Sequence, residues 1–276
     1  INGKIFDPQL GTQDLKNHII KFIGDPQKRI EEDYLRIIRF IRFSIEYGSE
    51  IEKTTIEAIK LNLDGIKKIS KERIILELFK ILSLKNFIEI NENKYLKEIF
   101  LLIFPEFRYL ERINKLNKLP SKISLDKETL LAILLIDFKD NHEYFLHKYR
   151  VSNDLREKLN LFADNFKNFF KDKKFFQKDL KKNIFYFGKK HVEKLNKINF
   201  LVNKKMKFND YLDILNLIKK ISLPKFTIDG NYLKNKGVEE GKIVGKILKS
   251  LEIEWINNDF KISEKKILEI IERAKI

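Results

Sequence analysis

Cysteine is absent from the 276-residue chain, which excludes disulfide bridges and thiolate metal sites. Its absence also leads us to expect a cytoplasmic location. No apolar run approaches the roughly 18 residues that a membrane span needs, and no secretory-signal layout begins the chain. Position 1 is Ile rather than Met, so we expect the natural N-terminus to lie upstream. Because 43% of the residues are apolar, the composition predicts a globular protein of one to three domains.

Glycine and proline are also missing from long stretches of the chain. No glycine occurs between Gly65 and Gly188, and no proline occurs between Pro120 and Pro224. Apolar residues recur there at the i, i+3 and i+4 spacing of helices, so the sequence predicts a mainly α fold. The only strand candidate is residues 4–6, which we interpret as the last strand of an α/β domain.

Three residues delimit the first long helix. Asp25 is a favourable N-cap, Pro26 suits the first helical position, and Gly48 suits the stop after the last periodic residue. The pattern predicts one continuous helix between them. A second pair of helices is predicted at Lys53–Leu61 and Lys71–Leu82, joined by a turn.

The balance of charge is strongly basic, with a formal net charge of +16. The excess is +2 for residues 1–100, +11 for residues 101–210 and +3 for residues 211–276. This concentration suits a polyphosphate partner, because Lys and Arg set against phosphates release condensed counterions. The alternative is a base-composition bias, since Lys, Asn, Ile and Phe are all abundant. The charge favours a nucleic-acid partner but does not establish one.

The first long helix carries the candidate site. On a helical wheel, one arc holds the predicted core face, made of Ile30, Tyr34, Ile37, Ile38, Ile41 and Ile45. Arg29, Asp33 and Arg36 lie within about 60° of one another on the neighbouring arc. Asp33 and Arg36 at i, i+3 form a surface ion pair in the simplest interpretation.

Neighbouring residues favour a second interpretation of this pair. Phe40 and Phe43 fall on the same arc and indicate a cleft rather than an open face. Arg39 and Arg42 continue the arginine ladder, and four arginines then face only two or three nearby acids. Such a ladder suits an elongated anion.

A carboxylate beside a guanidinium can also select bases. The carboxylate of Asp33 would accept from an exocyclic amine, as from cytosine N4, while Arg36 would donate to the adjacent ring nitrogen. Cytosine and adenine both present this edge. Uracil and guanine present a carbonyl oxygen and a protonated ring nitrogen, which leaves like groups facing each other. One site could therefore accept C and A and reject U and G without a template.

Several residues between positions 7 and 43 occur in a characteristic order: Asp7–Pro8, Gly11, Asp14–Leu15, Ile23–Pro26, Arg29, Glu32–Asp33, Arg36, Arg39 and Arg42–Phe43. A Ser-x-Glu-Arg motif follows at Ser70–Arg73, and Glu77–Leu78 comes after it. Together these motifs resemble the head–neck junction of class II tRNA nucleotidyltransferases (CCA-adding enzymes) and bacterial poly(A) polymerases. The resemblance covers about residues 1–85.

The resemblance implies roles for these residues. Asp33 and Arg36 would pair with the base of the incoming CTP or ATP, and Arg39 and Arg42 would also line the nucleotide site. Arg29 is a weaker candidate for the same site. Bracing of the neck is implied for three more residues: Glu32, Glu72 and Arg73. The family's Mg²⁺-binding aspartates lie upstream of the part that this chain resembles, so we expect the chain alone to bind nucleotide weakly and to catalyse nothing.

The resemblance also implies four segments and a tRNA partner. The segments are the end of an α/β head at residues 1–25, a neck at 26–85, a basic helical body at 86–210 and a helical tail at 211–276. The phosphate-contact candidates of the body are Lys171, Lys173, Lys174, Lys181, Lys182, Lys189 and Lys190. In the tail, Gly241 and Gly245 at i, i+4 would let a helix approach RNA or another helix closely.

Two alternatives to a CCA-adding enzyme stay open. One is a poly(A) polymerase of the same family, although many of those carry Pro where this chain has Tyr34. The other is a non-catalytic RNA-binding helical module.

Overall fold

The computed structural model describes residues 3, 5–49, 51–118 and 125–275. Their regular secondary structure is helical, joined by turns and irregular segments, and one isolated β-bridge residue occurs at Ile19. The prediction of a mainly α fold is confirmed. The chain divides into two compact units, residues 1–171 with 197–208 and residues 172–196 with 209–276. The four segments expected from the sequence remain a prediction.

Unit 1 holds nine α-helices in its described part. They are α1 Gly11–Lys16, α2 Pro26–Glu32, α3 Leu35–Tyr47, α4 Lys53–Leu61, α5 Lys71–Leu82, α6 Lys94–Ile103, α7 Lys127–Leu135, α8 Asn141–Lys148 and α9 Asn153–Lys171. Short 3-10 helices connect them at Leu63–Lys68, Lys85–Asn91, Pro105–Phe107 and Leu110–Lys118. The predicted bounds of α4 and α5 are confirmed.

The predicted continuous helix from Pro26 is wrong, because it breaks at Asp33. Its start is as predicted, since the Asp25 side chain accepts a hydrogen bond from Lys28 N at 3.0 Å. Its end is also as predicted, with Gly48 in the left-handed conformation at φ 63°. Between them Asp33 is extended, with φ −155° and ψ 103°, and its Oδ1 accepts from Leu35 N at 3.1 Å. A side chain that caps the backbone in this way competes with the helical hydrogen bond and starts a new helix, α3.

The strand expected at residues 4–6 is not supported. Lys4 lies outside the described residues, and Ile5 and Phe6 have no strand conformation. Both side chains are exposed, at 78% and 92%. A strand needs a partner for its backbone groups, and no strand among the described residues supplies one.

The core of unit 1 follows the predicted apolar face of α2 and α3. Ile30, Ile37, Ile38 and Ile41 are fully buried, and Ile45 is buried at 2% exposure. This face survives the break because α2 and α3 both pack inward. The start of α3 is thereby fixed against the rest of the unit.

A second core in unit 1 is aromatic. Phe100, Phe107 and Phe145 are fully buried and contact one another edge to face, at centroid distances of 5.5 and 5.7 Å. Tyr149 packs on Phe145 at 4.9 Å. The Phe residues of α9 predicted to be core are buried at Phe166 and Phe169, while Phe170 is half-buried against both.

Unit 2 contains α10 Leu180–Phe187, the first part of α11 Lys189–Val202, most of α12 Phe208–Lys220, α13 Gly230–Asn235, α14 Lys242–Asn257 and α15 Glu264–Lys275. Its apolar cores are Leu233, Val238, Ile247, Leu251, Ile267 and Ile271, and Trp255, Ile256 and Phe260. Phe175 and Phe176, also predicted to be core, are buried at 6% exposure each.

The two glycines singled out in the tail do not share a helix. Gly241 precedes α14 as its N-cap with φ 143°, whereas Gly245 lies in the first turn. A Cβ added at either position would meet no described atom within 4 Å. The space directly over both glycines is therefore open, although α13 packs on the neighbouring Val244.

Candidate nucleotide-binding site at the start of helix α3

Asp33 and Arg36 both lie at the N-terminal end of α3. Asp33 is the break residue between α2 and α3, and Arg36 is in the first turn of α3. Arg36 N donates to the Asp33 carbonyl oxygen at 3.0 Å, which closes that turn. The sequence placed both residues on one helix, and the structure places them at a helix start that Asp33 itself creates.

The Asp33 carboxylate bridges two elements. Its Oδ1 accepts from Leu35 N, and its Oδ2 accepts from Arg73 Nη2 of α5 at 2.9 Å. The side chain keeps 29% of its exposure. A carboxylate has about four lone-pair sites, so these two hydrogen bonds leave acceptor capacity for an amine. Among the described contacts, Asp33 forms its ion pair with Arg73 and not with Arg36.

Arg36 is held by α2 instead. Its Nη1 donates to Glu32 Oε2 at 2.5 Å and to the carbonyl oxygen of Arg29 at 2.6 Å. Arg29 Nη1 donates to the same Glu32 oxygen at 2.5 Å. The hydrogen bonds from Arg36 and then Arg29 hold the pKa of Glu32 below its ordinary value, so this carboxylate is ionised at neutral pH. Both described hydrogen bonds of Arg36 use Nη1. Because a guanidinium has five N–H donors, Nε and Nη2 of Arg36 remain available for a ligand.

Glu77 of α5 holds the rest of the arginine ladder. Its side chain is 4% exposed and lies 3.1 Å from Arg42 Nε and 3.6 Å from Arg39 Nε. Lys80 Nζ donates to it at 2.9 Å. Burial alone would raise the pKa of Glu77, but the hydrogen bond from Lys80 and the charge of Arg42 outweigh it and lower the pKa. Arg42 also contacts Glu46 at 3.4 Å.

Glu77 was part of a sequence motif, but its contacts with Arg39 and Arg42 were not predicted. The helical wheel compared residues of the first helix with one another, whereas Glu77 lies 35 residues beyond Arg42. Its spacing of i+4 from Arg73 was the available signal, because it puts both side chains on the same face of α5. Four arginines of the ladder therefore share three carboxylates: Glu32, Glu46 and Glu77.

The two phenylalanines expected to flank the site differ in burial. Phe40 does not line a cleft, because it is 4% exposed and stacks on Phe22 at 5.3 Å. Phe43 is half-buried beneath the Arg42 guanidinium, 4.1 Å from its ring centroid. It also lines a cavity of about 390 Å³ formed with residues between Gln9 and Gly24.

The residues expected to brace the neck lie on α2 and α5. Arg73 joins α5 to Asp33 as described, and Glu32 joins α2 to Arg36. Glu72 is exposed at the start of α5.

The lysine candidates fall into two groups. Lys181 lies 3.6 Å from Asp259 and 4.6 Å from the centroid of the Phe260 ring, Lys182 donates to Asn257, and Lys189 donates to the Lys219 carbonyl oxygen. The second group is Lys171, Lys174 and Lys190, which are exposed, as Lys189 of the first group also is. The side chain of Lys173 lies outside the described part.

No cluster of three His, Asp or Glu side chains that could hold a metal ion occurs among the described residues. Within the same residues, no helix is both long and apolar enough to cross a bilayer.

Comparisons with known proteins match this chain along most of its length. A family described as "Probable RNA and SrmB-binding site of polymerase A" matches residues 48–110. The mitochondrial CCA tRNA nucleotidyltransferase 1 of Mus musculus is 28% identical over 291 residues, which cover 99% of this chain and 63% of that protein. The CCA-adding enzyme of Staphylococcus aureus (strain Newman) is 33% identical over 151 residues, covering 54% of this chain and 36% of that protein.

A solved structure shares the fold. The crystal structure of the Bacillus stearothermophilus CCA-adding enzyme in complex with CTP aligns with a TM-score of 0.67 at 17% identity, over 99% of this chain and 70% of that one.

The fold and these matches relate the chain to proteins of the nucleotidyltransferase class. More narrowly, the chain is similar to CCA tRNA nucleotidyltransferases over part of their length. The resemblance drawn from the motifs is confirmed. The chain spans 63% of the length of the mouse relative.

Proposed function

We propose that this chain selects the incoming nucleotide and binds tRNA in a protein that adds CCA to tRNA 3′ ends from CTP and ATP. The observation that carries the proposal is the braced start of α3. There Asp33 and Arg36 are each fixed by a different partner and keep unused hydrogen-bonding capacity. The relatives named as CCA-adding enzymes support the same activity.

Base selection follows from the two side chains. Asp33 accepts from the exocyclic amine of cytosine or adenine, and Arg36 donates to the ring nitrogen beside it. With UTP or GTP, a carbonyl oxygen faces the carboxylate and an N–H faces the guanidinium. An unpaired polar group of this kind costs about 1–3 kcal/mol, or about 5- to 150-fold in selectivity. Arg39 and Arg42, held by Glu77, and Arg29 supply positive charge along the triphosphate.

The chemistry of transfer belongs to the whole protein. Mg²⁺ ligands are expected in the family's catalytic head, where the metal would neutralise the triphosphate. This chain alone is then expected to bind nucleotide weakly and to transfer nothing. The proposal includes the cytoplasmic location expected from the sequence.

Binding of tRNA is assigned to the basic body and tail. The exposed lysines Lys171, Lys174 and Lys190 offer their ammonium groups to phosphates directly. The open backbone at Gly241 and Gly245 leaves room for close approach of RNA to the start of α14. Lys173, Lys181, Lys182 and Lys189 remain candidates in the same role.

A poly(A) polymerase is the second candidate, favoured by the description of the family that matches residues 48–110. One experiment separates the two with the whole protein and a tRNA transcript that ends before CCA. With CTP and ATP together, a CCA-adding enzyme extends the transcript by three nucleotides and stops. Extension with ATP alone into a long tail would identify a poly(A) polymerase and overturn CCA addition.

A further inference from the structure

An apolar slot opens in unit 1 beside the 3-10 helix Leu63–Lys68. On that helix Gly65 contacts the Tyr34 ring, whereas Ile66 lines the slot. Leu102 of α6 and Tyr149 form other walls. The volume is about 200 Å³, below the about 300–1,000 Å³ of pockets that enclose drug-sized ligands. The slot is therefore too small for a whole nucleoside triphosphate and has room for one ring at most.

Three lysines stand around this slot. Lys67 pairs with Asp64 at 2.6 Å, but both side chains are more than 80% exposed, so the pair contributes little and exchanges readily. Lys148 contacts the buried Glu106 at 2.6 Å. Lys71, in the first turn of α5, has no ion pair within the described part of the chain. The mouth thus offers positive charge to an anion attached to the ring.

We propose that the slot binds one nucleotide of single-stranded RNA, with the base against the exposed Leu102 and the phosphate at Lys67 and Lys71. A nucleotide is the common biological ligand that joins a flat ring to an anion. A single strand is required, because only an unstacked base can leave its neighbours and enter a slot. An acidic peptide would satisfy the lysines but would bring no flat ring.

The slot is a different place from the base-reading pair at the start of α3. It draws most of its walls from the segment that matches the RNA-binding family description, residues 48–110. The inference rests on the RNA-binding part of the proposed function and not on nucleotide selection by Asp33. The two ideas therefore fail separately: loss of RNA binding tests the slot, and loss of selectivity tests Asp33.

The test measures the affinity of the whole chain for a fluorescent single-stranded oligoribonucleotide by anisotropy. Lys67→Gln and Lys71→Gln should each weaken binding about fivefold at 0.1 M salt and reduce the log–log salt slope by about 0.7. Lys85→Gln, at an exposed lysine of unit 1 outside the slot, is the matched control and should stay within about twofold.

Leu102→Glu tests the base itself. Leu102 is 52% exposed, so the substitution is tolerated by the fold, while its carboxylate occupies the apolar mouth. The wild-type chain should bind the oligonucleotide more tightly than an abasic strand of equal length, and Leu102→Glu should reduce that preference. Equal binding of both strands by the wild type overturns the proposal. So does an unchanged affinity of the lysine variants for RNA, whether or not they lose affinity for poly-glutamate.

Discussion

At the scale of the residue, the Asp33 side chain has two hydrogen-bonding partners. Its carboxylate caps Leu35 N and receives Arg73 from α5, so it both starts α3 and joins α3 to α5. The proposed base would be a third partner, bound through lone pairs that these contacts leave open. Arg36 is fixed separately by Glu32. Mutating either residue thus alters both geometry and recognition, and experiments need controls that separate the two.

Arg73→Ala should separate bracing from reading. It removes the partly exposed ion pair with Asp33 and should lower the free energy of unfolding by about 0.2–1 kcal/mol in a urea titration. Asp33 keeps its cap to Leu35 N in this variant. A loss above about 3 kcal/mol would mean that Arg73 is a core element rather than a brace.

Glu77→Ala should be among the more damaging substitutions in unit 1. It leaves Arg39, Arg42 and Lys80 without their shared buried carboxylate, and breaking a buried pair costs about 3–5 kcal/mol. Because these partners are partly exposed, we expect the lower end of that range. Glu57→Ala, at an exposed glutamate of α4, should stay within about 0.5 kcal/mol. Equal losses of unfolding free energy in the two variants would contradict a stabilising role for Glu77.

The pH dependence of the same contact has a definite sign. The pKa of Glu77 is lowered in the folded state, so its contribution is fully present above the ordinary carboxyl pKa. It is lost as the pH falls through the lowered value. Urea titrations of wild type and Glu77→Gln should therefore differ most near pH 6 and converge under more acidic conditions. A gap that widens on acidification contradicts the assignment.

At the scale of the element, local signals predicted some boundaries and not others. The caps Asp25 and Gly48 and the bounds of α4 and α5 were readable because they depend on neighbouring residues. The break at Asp33 was not readable, since an aspartate on the polar face of a periodic segment looks like an ordinary surface residue. The contact with Arg73, 40 residues further on, is part of what stabilises it.

The sequence likewise predicted some features of the candidate site and not others. The residue types and their spacing pointed to Asp33 and Arg36, while the partners of each residue came from other elements. Phe40 was misplaced because a wheel shows the direction of a side chain but not what packs on it. Phe22 covers it in the structure.

Gly65→Ala tests the packing of the 3-10 helix on the start of α3. A Cβ at this position would lie 2.0 Å from Tyr34 ring atoms, which forces the ring or the backbone to move. We expect a loss of about 1–3 kcal/mol in unfolding free energy, as in overpacked cores. Gly245→Ala is the control, because its Cβ meets nothing within 4 Å and alanine favours the helix by about 0.5–1 kcal/mol. Similar effects of both substitutions would contradict the packing described.

At the scale of the whole molecule, the net charge of +16 is the property that matters for a polyphosphate partner. The sequence located the excess but could not say which lysines are engaged within the protein. That depends on tertiary contacts, such as those of Lys181 with Asp259 and Phe260. Exposure of the N-terminal apolar side chains Ile5 and Phe6 is another property that composition alone did not predict.

The two groups of lysines should differ in tRNA binding. Lys174→Ala with Lys190→Ala removes two exposed charges and should lower the salt slope of tRNA affinity by about 1.4–1.8, or 0.7–0.9 for each contact. Lys181→Ala with Lys182→Ala removes two charges that already contact Asp259 and Asn257, and should lower the salt slope less. Affinity would be followed by filter binding from 50 to 200 mM salt. A larger effect of the second pair would reverse this ranking.

The most direct test of the central claim is single-nucleotide incorporation by the whole protein carrying Asp33→Ala, with each of CTP, ATP, UTP and GTP offered separately. Arg73→Ala and Glu31→Ala serve as controls, for the loss of bracing and for the loss of a nearby exposed acid. The account predicts that Asp33→Ala narrows the preference for CTP and ATP over UTP and GTP by about 5- to 150-fold, while both controls keep most of that preference and tRNA affinity is nearly unchanged. Unchanged selectivity in Asp33→Ala, or an equal loss in Arg73→Ala, would contradict base reading by Asp33.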